Sequence, residues 1–154
     1  MVETTLSGAS HHILTNDYAS EWMGIEVLRL DDGHATIRMH LRQEMLNGFG
    51  MAHGGMIFAF GDTAFALACN PANPTPKQAA NITVASGVDI NFIKPAFQGQ
   101  VITAVANRRA STGRSGLYDI QIYAASPDVP SATDTQPGEL IAEFRGRSRT
   151  ISKK

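Results

Sequence analysis

His53-Gly54-Gly55-Met56-Ile57-Phe58-Ala59-Phe60-Gly61-Asp62-Thr63-Ala64-Phe65-Ala66-Leu67-Ala68-Cys69 opens on a glycine pair and then runs apolar on every side, with one carboxylate in the middle. This pattern predicts a helix without a polar face, and such a helix belongs in an interior. It is too short to cross a bilayer, and it carries Asp62. An interior carboxylate is costly unless it is paired, hydrogen-bonded or used in chemistry. The residues three and four positions away are Phe58, Ala59, Phe65 and Ala66, none of which can partner it.

The flanking segments supply a sheet. Before the helix, His11 to Met23 has helical spacing at Ile13, Leu14, Tyr18 and Trp22, with Gly24 as its stop. Gly24 to Leu30 reads as a strand, Asp31-Asp32-Gly33 as a tight turn, and the next strand alternates Ala35, Ile37, Met39, Leu41 against His34, Thr36, Arg38, His40. Residues 42–52, with Asn47-Gly48 and Gly50, form a loop leading to the central helix. After it, Pro71, Pro74 and Pro76 impose an extended or turning connection. Ile82, Val84, Val88, Ile90 and Phe92 are expected on one face of a long strand closed by Lys94-Pro95. Further strands are expected over 100–109, 115–124 and 139–151, with an exposed hairpin loop over 126–138. Residues 1–9 read as an irregular start, and 1–154 as one domain. Two strands, an all-apolar helix and four more strands make an α+β protein whose sheet of about six strands wraps one long buried helix.

Composition excludes several classes. With 13 Lys and Arg against 14 Asp and Glu, the chain has no basic surplus for general nucleic-acid binding. One cysteine rules out a disulfide framework and leaves no zinc ligand set. No metal, no redox cofactor, no membrane partner and a cytoplasmic setting are the expectations.

Each candidate residue has a plain structural alternative. Asp62 is either a satisfied core carboxylate or a catalytic one whose pKa an apolar site raises. Gly54 and Gly55 are either a simple helix start or an oxyanion site, because glycines leave the first N–H groups uncovered where a helix favours negative charge. His53 suits a supporting role beside them. Asn47 is either a turn residue or a substrate-orienting one. Thr63 follows Asp62 and could touch the same water. Gly61 weakens a helix by about 1 kcal/mol and suggests that another helix approaches there. Arg145, Arg147 and Arg149 share one strand face, either merely solvated or set to hold phosphates.

Met45-Leu46-Asn47-Gly48, His53-Gly54-Gly55, Asp62-Thr63-Ala64-Phe65-Ala66, Asn91-Phe92-Ile93-Lys94-Pro95 and Phe144-Arg145-Gly146, in this order and spacing, resemble the PaaI-like (phenylacetic-acid-degradation) branch of the hotdog acyl-CoA thioesterases. The resemblance covers most of the chain from about residue 20. It implies a hotdog fold and hydrolysis of an acyl-CoA, of aryl or phenylacetyl type. It places Asp62 at the catalytic carboxylate position and Gly54 or Gly55 as the backbone donor to the thioester carbonyl. Asn47 and His53 then line the site, with Thr63, Arg145, Arg147 and Arg149 as further substrate or coenzyme A contacts. Rival readings are a hotdog hydratase or dehydratase and a non-catalytic acyl-CoA binding module.

Gly54 and Asp62 lie eight residues apart, about 12 Å along one helix axis. A single helix therefore cannot present both to one thioester, whose attacking group must lie about 3 Å from the carbonyl. The expectation is a homodimer with shared sites, paired into a homotetramer as the resemblance implies.

Overall fold

A computed structural model describes residues 10–128 and 137–153. The irregular start at 1–9 and most of the loop expected over 126–138 lie outside the described residues. Six antiparallel strands form one sheet in the order β1-β2-β4-β5-β6-β3: β1 Glu26–Asp31, β2 His34–His40, β3 Asn81–Phe92, β4 Val101–Thr112, β5 Ser115–Ala125 and β6 Glu139–Ser152. Helix α2, Gly54–Cys69, touches all six. This is the α+β hotdog arrangement expected from the sequence.

The packing follows the alternation. Ile37 and Met39 of β2, Ile102 of β4, Ile120 and Ile122 of β5 and Phe144 of β6 are all sealed from solvent, as are Phe60 and Phe65 of α2. Each such side chain contributes about 1.5–3 kcal/mol of transfer free energy. Gly61 meets this core: a Cβ there would lie 2.9 Å from Phe144 Cδ2 and 3.2 Å from Ile122 Cδ1. The close neighbour is thus the sheet, not the second helix expected. α2 ends at Asn70, whose extended backbone suits the residue before Pro71.

Three local readings need correction. The N-terminal helix is two pieces, a 3-10 turn at His12–Leu14 and α1, Tyr18–Met23. Asn16 between them has φ 63°, a left-handed conformation that ends one piece before Asp17 caps the next. The proline-rich connection contains a one-turn helix α3, Pro76–Ala79, with a Thr75/Gln78 capping box. In β3, one extra residue at Ser86 bulges the strand, since Ala85 faces Ser148 but Gly87 faces Arg147. The bulge reverses the facing of the residues beyond it. Val88 and Ile90 sit opposite Gly146 and Phe144 on the helix side, while Ile82 and Val84, opposite Ile151 and Arg149, lie on the outer side and are exposed.

β3 is an edge strand and runs antiparallel to α2. Phe92 at its end lies against Gly54 at the helix start, and Thr83 near its beginning pairs with Asn70 at the helix end. Asn70 Nδ2 donates to the Thr83 carbonyl and Asn70 Oδ1 accepts from the Thr83 N–H, both at 3.0 Å. The side-chain amide thus stands where a neighbouring strand would.

Candidate active site

The start of α2 is fixed by its own sequence. Asn47 organises the turn before it: Oδ1 accepts from the Phe49 and Met51 N–H groups at 2.9 and 3.2 Å, and its N–H donates to the Met51 carbonyl at 2.7 Å. The turn reading of Asn47 holds, and its amide Nδ2 has no partner among the described residues. Leu46 and Ala52 bridge the turn, and the His53 N–H donates to the Met45 carbonyl at 2.8 Å.

His53 is the N-cap. Its Nδ1 accepts from the Gly55 N–H at 2.9 Å, so the ring carries its proton on Nε2. This separates the two glycines. The Gly55 N–H is committed to the cap, whereas the Gly54 N–H has no acceptor among the described residues. Gly54 lines a pocket of about 320 Å³ together with Met51, Ala52, Ile57, Phe92, Ile93, Lys94 and Pro95, apolar apart from the Lys94 side chain. A free donor at a helix N-terminus beside a largely apolar pocket is suited to a carbonyl oxygen gaining negative charge.

Asp62 lies two turns further on, on a side of α2 that is not buried. Gly55, Phe58 and Asp62 are exposed in the single chain, and Ala59, Ala66 and Cys69 beside them are half-buried. The expectation of an all-round buried helix is corrected: the sheet covers most of α2 and leaves one stripe open. Apolar neighbours still strip part of the water from the Asp62 carboxyl. This partial burial, and secondarily the Asp17 carboxylate, push its pKa above the ordinary carboxylate value. Cys69 along the same helix is held protonated, its pKa pushed up to about 12 by burial.

Thr63 points toward α1. Its Oγ1 lies 3.0 Å from Ser20 Oγ, and Ser20 Oγ donates to Asp17 Oδ2 at 2.8 Å. Asp17 and Ser20 were not legible as neighbours of Asp62 while His11 to Met23 read as one helix. The signal was the Asp17-x-x-Ser20 spacing of an N-cap.

The structure does not bring the three arginines to this region. Arg145, Arg147 and Arg149 lie on the sheet face turned away from α2, opposite in facing to the buried Phe144 and Ser148. Arg145 is held by Asp119 at 2.7 Å, and Arg147 lies across Gly87. Among the described residues, no three His, Cys, Asp or Glu side chains are placed to hold a metal ion.

A family model described as the thioesterase superfamily matches residues 49–131. The chain belongs to the thioesterase superfamily, and its class of activity is thioester hydrolysis. Within that superfamily it is PaaI-like: it is 34% identical over 142 residues to the acyl-coenzyme A thioesterase PaaI of Escherichia coli K12, covering 92% of this chain and 89% of that protein. The structure of the E. coli PaaI protein from the phenylacetic acid degradation operon matches with TM-score 0.76, covering 93% of this chain and 91% of the other. The TT0310 protein of Thermus thermophilus matches with TM-score 0.71 at 28% identity, over 87% and 97% of the two chains. A putative esterase of Archaeoglobus fulgidus is 28% identical over 111 residues, 72% of this chain and 68% of that one.

Proposed function

We propose that this protein hydrolyses acyl-CoA thioesters with an aryl or phenylacetyl-type acyl group, in sites shared between two copies of the chain. The observation that carries the reading is the uncommitted N–H of Gly54, a residue at the start of α2 that lines a largely apolar pocket, with Asp62 on the open stripe of the same helix. The likeness to E. coli PaaI supports the substrate class.

In this mechanism the acyl group enters the pocket at Phe92 and Ile93, and the carbonyl oxygen takes the Gly54 N–H. The helix N-terminus stabilises the oxyanion of the tetrahedral intermediate. In this reading His53 and Asn47, which shape the helix start through Nδ1 and Oδ1, serve as supporting residues, each with a side-chain donor left over. Asp62 supplies the carboxylate, which either deprotonates a water that attacks the carbonyl or attacks it itself to form a mixed anhydride that water then hydrolyses, restoring the carboxylate. Coenzyme A leaves as the thiol, and its thioester bond is replaced by a free carboxylic acid.

The partner copy resolves the 12 Å separation. Because β3 runs antiparallel to α2 at its side, pairing two β3 edges antiparallel lays two α2 helices antiparallel across a two-fold axis. For Gly54 of one chain to meet Asp62 of the other, the axis passes at the level of the residue midway between them, Phe58. That residue is 37% exposed although large and apolar, and Phe92, which lies against Gly54 one turn earlier on the helix, is 55% exposed. Large apolar side chains left exposed along one helix and strand edge are what an interface covers.

Incubation with phenylacetyl-CoA and a thiol-trapping reagent tests the chemistry: stoichiometric thiol and phenylacetate are expected. A hydratase would leave the thioester intact, and a binding module would release no thiol. Shared sites are tested by exchanging subunits between inactive Asp62→Ala and inactive Gly54→Val chains. Mixed dimers should recover one intact site of two, and verified heterodimers without activity would refute sharing.

A further inference from the structure

The three hydroxyl and carboxylate groups beside Asp62 are the part of the site that the mechanism above leaves unused. Asp17 caps α1 through Oδ1, which accepts from the Ser20 N–H at 3.1 Å, and its Oδ2 accepts from Ser20 Oγ at 2.8 Å. Ser20 is 2% exposed, and its oxygen lies 3.0 Å from Thr63 Oγ1.

The proton positions along this chain follow from counting. An ionised Asp17 can only accept, so the single Ser20 hydroxyl proton goes to it. In the Ser20–Thr63 contact the proton therefore comes from Thr63. That leaves Thr63 Oγ1 with lone pairs only. Any contact it makes with a water or substrate next to Asp62 is as an acceptor, not as a donor.

We propose that Asp17 and Ser20 are positioning residues for the hydrolytic site: the chain Thr63–Ser20–Asp17 clamps α1 onto the turn of α2 that carries Asp62 and fixes Thr63 as a hydrogen-bond acceptor beside it. This rests on the assignment of Asp62 to the chemistry. A second consequence comes from charge. The carboxylate at the far end of the clamp faces the same turn, so Asp17 disfavours ionisation of Asp62, after the larger effect of partial burial. Of the other groups bearing on this turn, the Cys69 thiol is held neutral by burial. Ile122 and Phe144, which the sheet packs against neighbouring Gly61, carry no charge.

The two effects separate by substitution. Ser20→Ala breaks the clamp but keeps the Asp17 charge. Its kcat should fall about tenfold, the scale of a small misplacement of a reacting group, with the acid limb of kcat/KM unmoved. Asp17→Asn keeps an N-cap but removes the charge. Its amide also donates toward Ser20, which turns the Ser20 and Thr63 protons around. Its acid limb should shift to lower pH, together with a several-fold loss of kcat. Thr63→Val should match Ser20→Ala, and Thr63→Ser should restore activity. If the variants lose thermal stability but keep wild-type kcat and an unmoved acid limb, the residues are merely structural and the proposal is wrong. Should Ser20→Ala fail to fold, the Thr63→Val and Thr63→Ser pair decides alone. Asp62→Asn run alongside distinguishes the failures: if it retains turnover, the assignment of Asp62 falls, and the clamp falls with it. If it is inactive while the clamp variants are normal, only the clamp falls.

Discussion

Asp62 was conspicuous in the sequence because a lone carboxylate in an apolar helix has no local partner. Its exposure was not legible, since only the six strands decide which side of the helix stays open. The same holds at the helix start. A glycine pair after a histidine suggests an anion site, but whether Gly54 or Gly55 keeps a free N–H depends on which way the His53 ring turns. Asp62→Asn is expected to fold and to lose at least about 100-fold in kcat, the scale of a lost acid–base group, measured by thiol release. It should also be more stable than the parent at neutral pH. A carboxyl whose pKa is raised on folding binds its proton more tightly in the native state, so its ionisation destabilises the fold as pH rises past the unfolded value. Melting curves should show the gap at neutral pH and its closure in acid, below the ordinary carboxylate pKa.

Among the elements, the long alternating or all-apolar segments were read to within a few residues, because periodicity reports burial directly. β2, β4, β5, β6 and α2 all fall in this group. What failed were interruptions set by single backbone conformations: the left-handed Asn16 that divides the first helix, and the Ser86 bulge that turns Ile82 and Val84 outward. Neither breaks the hydrophobic spacing in the sequence. Gly61 shows how an element depends on one missing atom. Gly61→Ala would gain up to about 1 kcal/mol of helix propensity. It would also push a methyl into Phe144, which Phe58 and Phe65 hold from the other sides at ring distances of 5.4 and 6.0 Å. Overpacking of this kind costs about 1–3 kcal/mol, so a net loss is expected. Calorimetry should find Tm lowered by a few degrees, whereas an unchanged or raised Tm would mean that Phe144 can move aside.

For the molecule as a whole, the assembly reading predicts a native mass of at least two chains of 16.5 kDa by light scattering. Amide exchange over residues 85–92 should be slow in the assembled protein and fast in a variant, such as Phe58→Glu, that places charge at the two-fold axis. A monodisperse monomer with full activity would contradict it. The two ends of the sheet also differ in a way that bears on how far such assembly can run. At the β1 end the strand has six residues, a bulge between Val27 and Arg29, and the Arg29–Asp31 ion pair at 2.7 Å. These are features that discourage a further strand. At the β3 end, the Asn70 amide occupies Thr83 and limits any newcomer to the stretch beyond it. A sheet with two sticky margins polymerises, while one with a single margin has a valence of one. In the proposed pairing, joining two copies margin to margin uses up the one open end among the described strands, so such a sheet would terminate itself at two chains rather than grow into a fibre by adding strands.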